Sequence, residues 1–158
     1  MKIKKLCVVL SAVFVCISLV SCGGMAKTDD DLNGGVKTDK GYAEKVVVDN
    51  EICTFKITGV NPDGALGYTL NVFLENKTDE DLMFSLGKVS VNGFMCDPFW
   101  ASEVDDRKKA KSDINFSKEE FMTYGIEKVE NIEFTLIVYD EDDWMKGNLV
   151  EQKYTFKP

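Results

Sequence analysis

Beyond Tyr42 the apolar residues of this chain recur at every second position, and no other feature restricts its fold so tightly. A period of two is the signature of strands with one face buried, whereas an amphipathic helix needs a period of 3.6. The clearest run sets Leu66, Tyr68, Leu70, Val72 and Leu74 against Gly67, Thr69, Asn71 and Glu75, with Phe73 as an apolar intruder on the polar side. Just before it, Cys53, Phe55 and Ile57 alternate with Thr54, Lys56 and Thr58. Asn61-Pro62-Asp63-Gly64 supplies turn chemistry between the two runs and predicts a hairpin. Leu82, Phe84 and Leu86 alternate, then Val89 and Val91, and Asn92-Gly93 is the dipeptide favoured where both central turn residues take positive φ. A second hairpin is expected there.

Ala110, Ser112, Ile114 and Phe116 oppose Lys109, Lys111, Asp113 and Asn115, which reads as a solvated strand. Ile132, Phe134, Leu136 and Val138 form the penultimate strand, Val150, Tyr154 and Phe156 the last, and Val46 and Val48 the first. One helix interrupts them. Ser117-Lys118-Glu119-Glu120 fits a capping box, Phe116 and Phe121 fit a hydrophobic staple, and Gly125 stands where a left-handed C-terminal residue is wanted. Short strands at intervals of about 8 to 12 residues, with no repeated βα unit, predict an all-β fold. The expected form is a two-sheet antiparallel sandwich of seven to nine strands with one short helix, and a small closed barrel is the alternative.

The sequence before this domain is of another kind. A basic start, Met1 to Lys5, precedes an apolar stretch from Leu6 to Val20, which is the pattern of a secretory signal peptide. At about 15 residues the stretch falls short of the roughly 20 needed to span a bilayer as a helix. Its ending, Leu19-Val20-Ser21-Cys22, resembles the lipobox of bacterial lipoproteins. That resemblance implies cleavage before Cys22, a thioether from its sulfur to diacylglycerol, and attachment to the membrane through the lipid. The division expected is therefore a signal peptide at 1–21, a lipidated Gly-, Asp- and Lys-containing tether at 22–41, and a globular domain at 42–158.

Within the domain, Val48-Asp49-Asn50-Glu51, Leu74-Glu75-Asn76-Lys77-Thr78, Val91-Asn92-Gly93, and Gly125-Ile126 ahead of Ile132-Glu133-Phe134 carry a second resemblance. The layout is similar to the immunoglobulin-like, telokin-like domains of uncharacterised secreted lipoproteins from Gram-positive bacteria. This implies the fold and an extracytoplasmic location on the cell membrane, without implying catalysis. The Cys, Trp, Cys spacing of antibody domains is not present.

Charge and composition narrow the chemistry. Nineteen basic against 27 acidic residues repel phosphate backbones, so no nucleic-acid partner is expected. Histidine is absent, which removes the commonest general base and a common metal ligand, and no cofactor is expected. Cys53 and Cys96 form an even pair once Cys22 is acylated. They are either a disulfide, closing a loop of about 43 residues and adding roughly 4 kcal/mol, or two separate buried thiols. Asp140-Glu141-Asp142-Asp143 has the hard oxygens calcium prefers but not the spacing of a calcium loop, so a solvated acidic turn is expected. Asn76-Lys77-Thr78 matches a glycosylation sequon and reads as a turn after a strand.

The large apolar side chains in expected loops are Phe99 and Trp100, and Trp144 with Met145. They are either binding loops or caps folded over the open ends of the sandwich. The function expected is a lipid-anchored binding or interaction module that catalyses nothing and engages an envelope or extracellular protein or a glycan. The alternatives are a structural or accessory subunit of an envelope complex, a calcium-binding domain, or a hydrolase using acidic residues.

Overall fold

The structure is a computed structural model and describes residues 43–158. The signal peptide, Cys22 and the rest of the tether lie outside the described residues. The described chain runs β1 (Lys45–Asp49), β2 (Cys53–Gly64), β3 (Gly67–Asn76), β4 (Leu82–Val91), β5 (Phe94–Met95), β6 (Ala101–Val104), β7 (Lys109–Ser117), α1 (Lys118–Tyr124), β8 (Ile132–Asp140) and β9 (Val150–Phe156).

Two antiparallel sheets result. One has the order β1-β2-β3-β7; in the other, β4 pairs with β8, which pairs with β9, while β5 and β6 follow one another along the far edge of β4. Consecutive strands β3 and β4 lie in different sheets, as do β7 and β8, yet β3 pairs with β7 and β4 with β8. This crossed connectivity is that of an immunoglobulin-like sandwich and excludes the closed barrel. The inward rows predicted by alternation meet in the middle, where Phe55, Leu70, Phe84, Phe116, Leu136 and Phe156 are all fully buried or nearly so. Phe55 and Phe134, from opposite sheets, have ring centroids 6.4 Å apart. Burying side chains of this kind contributes about 1.5–3 kcal/mol each.

Two strand expectations need correction. The first hairpin turns at Ala65-Leu66, not at Asn61–Gly64: Gly64 pairs with Gly67, and the register shifts between Asn61 and Gly64. Pro62 has no N–H for the ladder, so the segment with the strongest turn composition becomes an irregular strand end instead. Leu66, assigned to the buried row, is therefore 70% exposed at the tip. Gly67 is required here, since its φ is 132° and a Cβ would lie 2.1 Å from the Phe116 carbonyl oxygen. The second correction is β7, which is an edge strand with a solvated outer row but whose Ile114 and Phe116 are completely buried.

Val46, read in one row with Val48, is turned outward by a bulge between them and is 51% exposed, and of the capping box only the Ser117 half forms, while the remaining turn and cap signals behave as read. Asn92 and Gly93 have φ of 50° and 85°, the geometry of the tight turn their dipeptide favours. Ser117 accepts a hydrogen bond from the Glu120 N–H at 3.4 Å. Gly125, at φ 67°, donates to the Met122 carbonyl, and Ile126 donates to that of Phe121, which together end α1 in a Schellman motif. Phe121 reaches back to the Phe116 ring at 6.2 Å and to Tyr68 at 6.3 Å, fixing the helix across the mouth of the sandwich.

Candidate binding surface

The loops β3–β4, β6–β7 and β8–β9 gather at one end of the sandwich, and Asn76 is the residue that joins the first two. It is 2% exposed. Its Nδ2 donates to the carbonyls of Glu80 at 2.7 Å, Val104 at 2.9 Å and Asp105 at 3.1 Å, while Oδ1 accepts from the Thr78 N–H and hydroxyl. The sequon asparagine is thus a buried hub at the strand end, closed to glycan attachment. Further bonds complete the end: Arg107 N–H to the Thr78 carbonyl, Asp106 N–H to Asp81 Oδ1, and Glu141 N–H to the Asp81 carbonyl. Lys77 Nζ ties in the β1–β2 turn through Asp49 Oδ1 at 2.6 Å and the Asn50 carbonyl at 2.7 Å. The Lys77 hydrogen bond holds the Asp49 carboxyl below its ordinary range and in turn raises the Lys77 ammonium.

The acidic turn after β8 is built around Asp140, which is buried and not solvated as expected. Its Oδ1 accepts the N–H groups of Asp142 at 3.1 Å and Asp143 at 3.2 Å, and Lys146 Nζ lies 3.2 Å from Oδ2 and 3.3 Å from Asp143. Burial pushes this carboxyl up, but Lys146 and the two N–H donors together outweigh burial and hold it below the usual carboxylate range. Of the four carboxylates considered for calcium, those of Asp140 and Asp143 are engaged by the protein itself. Among the described residues, no group of three or more His, Cys, Asp or Glu is placed to hold a metal ion. Glu141 behaves oppositely: the neighbouring Glu103 carboxyl, first through a hydrogen bond and also by repulsion, raises it, as does burial.

This framework leaves Trp144 and Met145 in water. Both belong to a short 3₁₀ turn, Trp144–Lys146, closed by the Lys146 N–H to the Asp143 carbonyl at 3.0 Å. The polar side of the turn faces inward onto Asp140, so Trp144 is 69% and Met145 78% exposed. A capping role for this pair is thereby excluded. Glu141, Asp142 and Asp143 are their neighbours in the same turn, and the Glu141 N–H to the Asp81 carbonyl ties that turn to the β3–β4 loop, which carries Asp79, Glu80 and Asp81.

The other aromatic pair is divided by the structure. Trp100 lies edge-on to Phe55 at 6.1 Å and donates its indole N–H to Ser112 Oγ at 3.0 Å, so it bridges from the β6 edge of one sheet to the other. It belongs to the core rather than to a binding loop. Its neighbour Phe99 is 94% exposed and sits at φ 49°, a left-handed conformation unusual for a bulky residue, with its N–H donating to Asp97 Oδ1.

Cys53 and Cys96 are buried free thiols. Cys53 pairs with Asn76 at the Leu82 end of the sandwich, whereas the Cys96 N–H donates to the Val89 carbonyl near the other end. The stretch of β4 separating those positions spans roughly 20 Å, far beyond the separation of about 7 Å that a disulfide tolerates. Burial pushes the Cys53 thiol up to about 11 and raises that of Cys96 as well, so neither is a nucleophile near neutral pH.

At the opposite end, a groove of about 500 Å³ runs between α1 and the β2–β3 hairpin, with Val60, Tyr68, Phe121, Met122, Ile126 and Pro158 among its lining. No periodicity announces this groove, because its walls come from segments far apart in the chain. No protein-family model matches this sequence, and neither the curated proteins nor the solved structures contain a match to it.

Proposed function

We propose that this protein is a non-catalytic binding module, held at the outer face of a cytoplasmic membrane by acyl groups on Cys22, that captures an envelope or extracellular protein with a basic surface. The observation supporting it most directly is the exposure of Trp144 and Met145 on a turn that Asp140 and Lys146 hold in place. Keeping large apolar side chains in water on an ordered loop gives up burial energy that a partner can recover, and ordered aromatic anchors lose little entropy on binding. The neighbouring carboxylates set the sign of the partner and make its association sensitive to salt. Phe99 offers a second exposed anchor on the β5–β6 edge. The resemblance of Leu19-Val20-Ser21-Cys22 to a lipobox supports the anchor, and that of the domain to secreted Gram-positive lipoproteins supports the compartment.

The test is affinity capture from the native envelope with the full chain. Trp144→Ala with Met145→Ala is expected to abolish capture while leaving the melting temperature unchanged. Undiminished capture by that variant would refute the proposal. Mass spectrometry of the mature N-terminus is expected to show acylated Cys22, and Cys22→Ala to remain unprocessed or leave the membrane fraction; an unmodified Cys22 overturns the anchor.

A further inference from the structure

Phe73 breaks the alternation of β3, and the two sites above make no use of it. The register sets it in one transverse row across the outer face of its sheet, with Val46 on β1 opposite Lys56 on β2, Lys56 opposite Phe73, and Phe73 opposite Lys111 on β7. Lys56 Nζ lies 5.8 Å from the centre of the Phe73 ring. Lys56 and Lys111 flank the ring one strand to either side, so their backbones stand about 10 Å apart. Glu44, Lys56, Thr58, Phe73 and Lys111 line a shallow recess of about 200 Å³. Glu44 approaches Lys56 only to 4.0 Å, and no carboxylate among the described residues pairs with Lys111. By contrast, Lys109 on the same strand is engaged by Glu75 at 3.1 Å.

We propose that this row is a binding site for a carboxylate-bearing glycan, with a sugar ring lying on Phe73 and acidic groups to either side on Lys56 and Lys111. The charge decides the class. A domain this acidic places two ammonium groups around a half-buried aromatic ring, which fits an anionic ligand presenting a flat apolar face. A protein partner fits less well, because one ring on a flat polar sheet lacks the cluster of buried anchors a protein interface needs. The nearer carboxylates on this face are engaged, Glu75 by Lys109 and Asp113 by the Asn71 Nδ2 donor, and the acidic loops beyond Asn76 lie about 10 Å away, where physiological salt largely screens their repulsion.

Affinity electrophoresis of the full chain tests the assignment, using gels containing polygalacturonate, neutral dextran or poly-glutamate. Retardation by polygalacturonate alone is expected. Lys111→Gln and Phe73→Thr should each weaken it roughly tenfold, the scale of losing a charge-assisted contact. Lys109→Gln and Trp144→Ala should leave it unchanged, which separates this site from the acidic loops. Equal retardation by dextran or by poly-glutamate, or wild-type behaviour of Lys111→Gln, overturns the proposal. Lys111 is exposed on an edge strand, so its variant remains informative should Phe73→Thr fail to fold.

Discussion

At the scale of single residues, Asn76 carries more of the acidic end than any charge in it. Every polar atom of its side chain is used, and three carbonyls from two loops depend on one amide. Asn76→Ala is expected to lower stability by about 2–3 kcal/mol, the consequence of leaving buried carbonyls unpaired, read as a shift in the urea midpoint. Asp140 and Glu141 are neighbours that titrate in opposite directions. Asp140 is held below the ordinary carboxylate range, so the stability it contributes is complete above its unfolded value and is lost as pH falls through the lowered folded one. Glu141 is raised, so its contribution is present in acid and lost as pH rises through the raised folded value. Glu141→Gln is therefore expected to raise the melting temperature at neutral pH and to leave it unchanged near pH 3, below the ordinary carboxylate range. The alternating pattern marks these residues as loop or strand-end positions, but their hydrogen-bond partners come from elsewhere in the chain and cannot be read from it.

At the scale of elements, the two tryptophans differ because their loops are anchored differently. Trp100 is inserted against Phe55 and hydrogen-bonded to Ser112, whereas Trp144 projects from a turn whose inward contacts are polar. Trp100→Ala should cost about 3–5 kcal/mol and Trp144→Ala less than about 0.5 kcal/mol, measured by thermal and urea unfolding. An outcome in which both lose stability equally would return Trp144 to a capping role. Elements whose signals are local were legible: the Asn92-Gly93 hairpin, and α1 with its Ser117 cap, Phe116–Phe121 staple and Gly125 stop. The β2–β3 turn was displaced because Pro62 breaks a ladder instead of turning it, and because Gly67 alone can lie against the Phe116 carbonyl of β7. That contact joins residues about 50 positions apart, and no window of sequence contains both.

At the scale of the whole molecule, the crossed pairings of β3 with β7 and β4 with β8 lock the sheets together without a covalent bridge. A reducing agent is accordingly expected to leave the melting temperature unchanged, and Cys53 and Cys96 to be alkylated only after unfolding; a downward shift on reduction would restore the disulfide. The same arrangement gives the domain two unlike ends, one acidic with exposed apolar residues and one closed by α1 beside an apolar groove. The sequence by itself determined the all-β class, the inward rows, the second hairpin and the helix, since each follows from side-chain period or from capping within a few residues. Only the tertiary structure decided which aromatic residues remain in water, that the paired cysteines lie too far apart to join, and that Lys56, Phe73 and Lys111 share one row. Those outcomes depend on strand order and register, which bring distant segments together through contacts that local preferences do not encode.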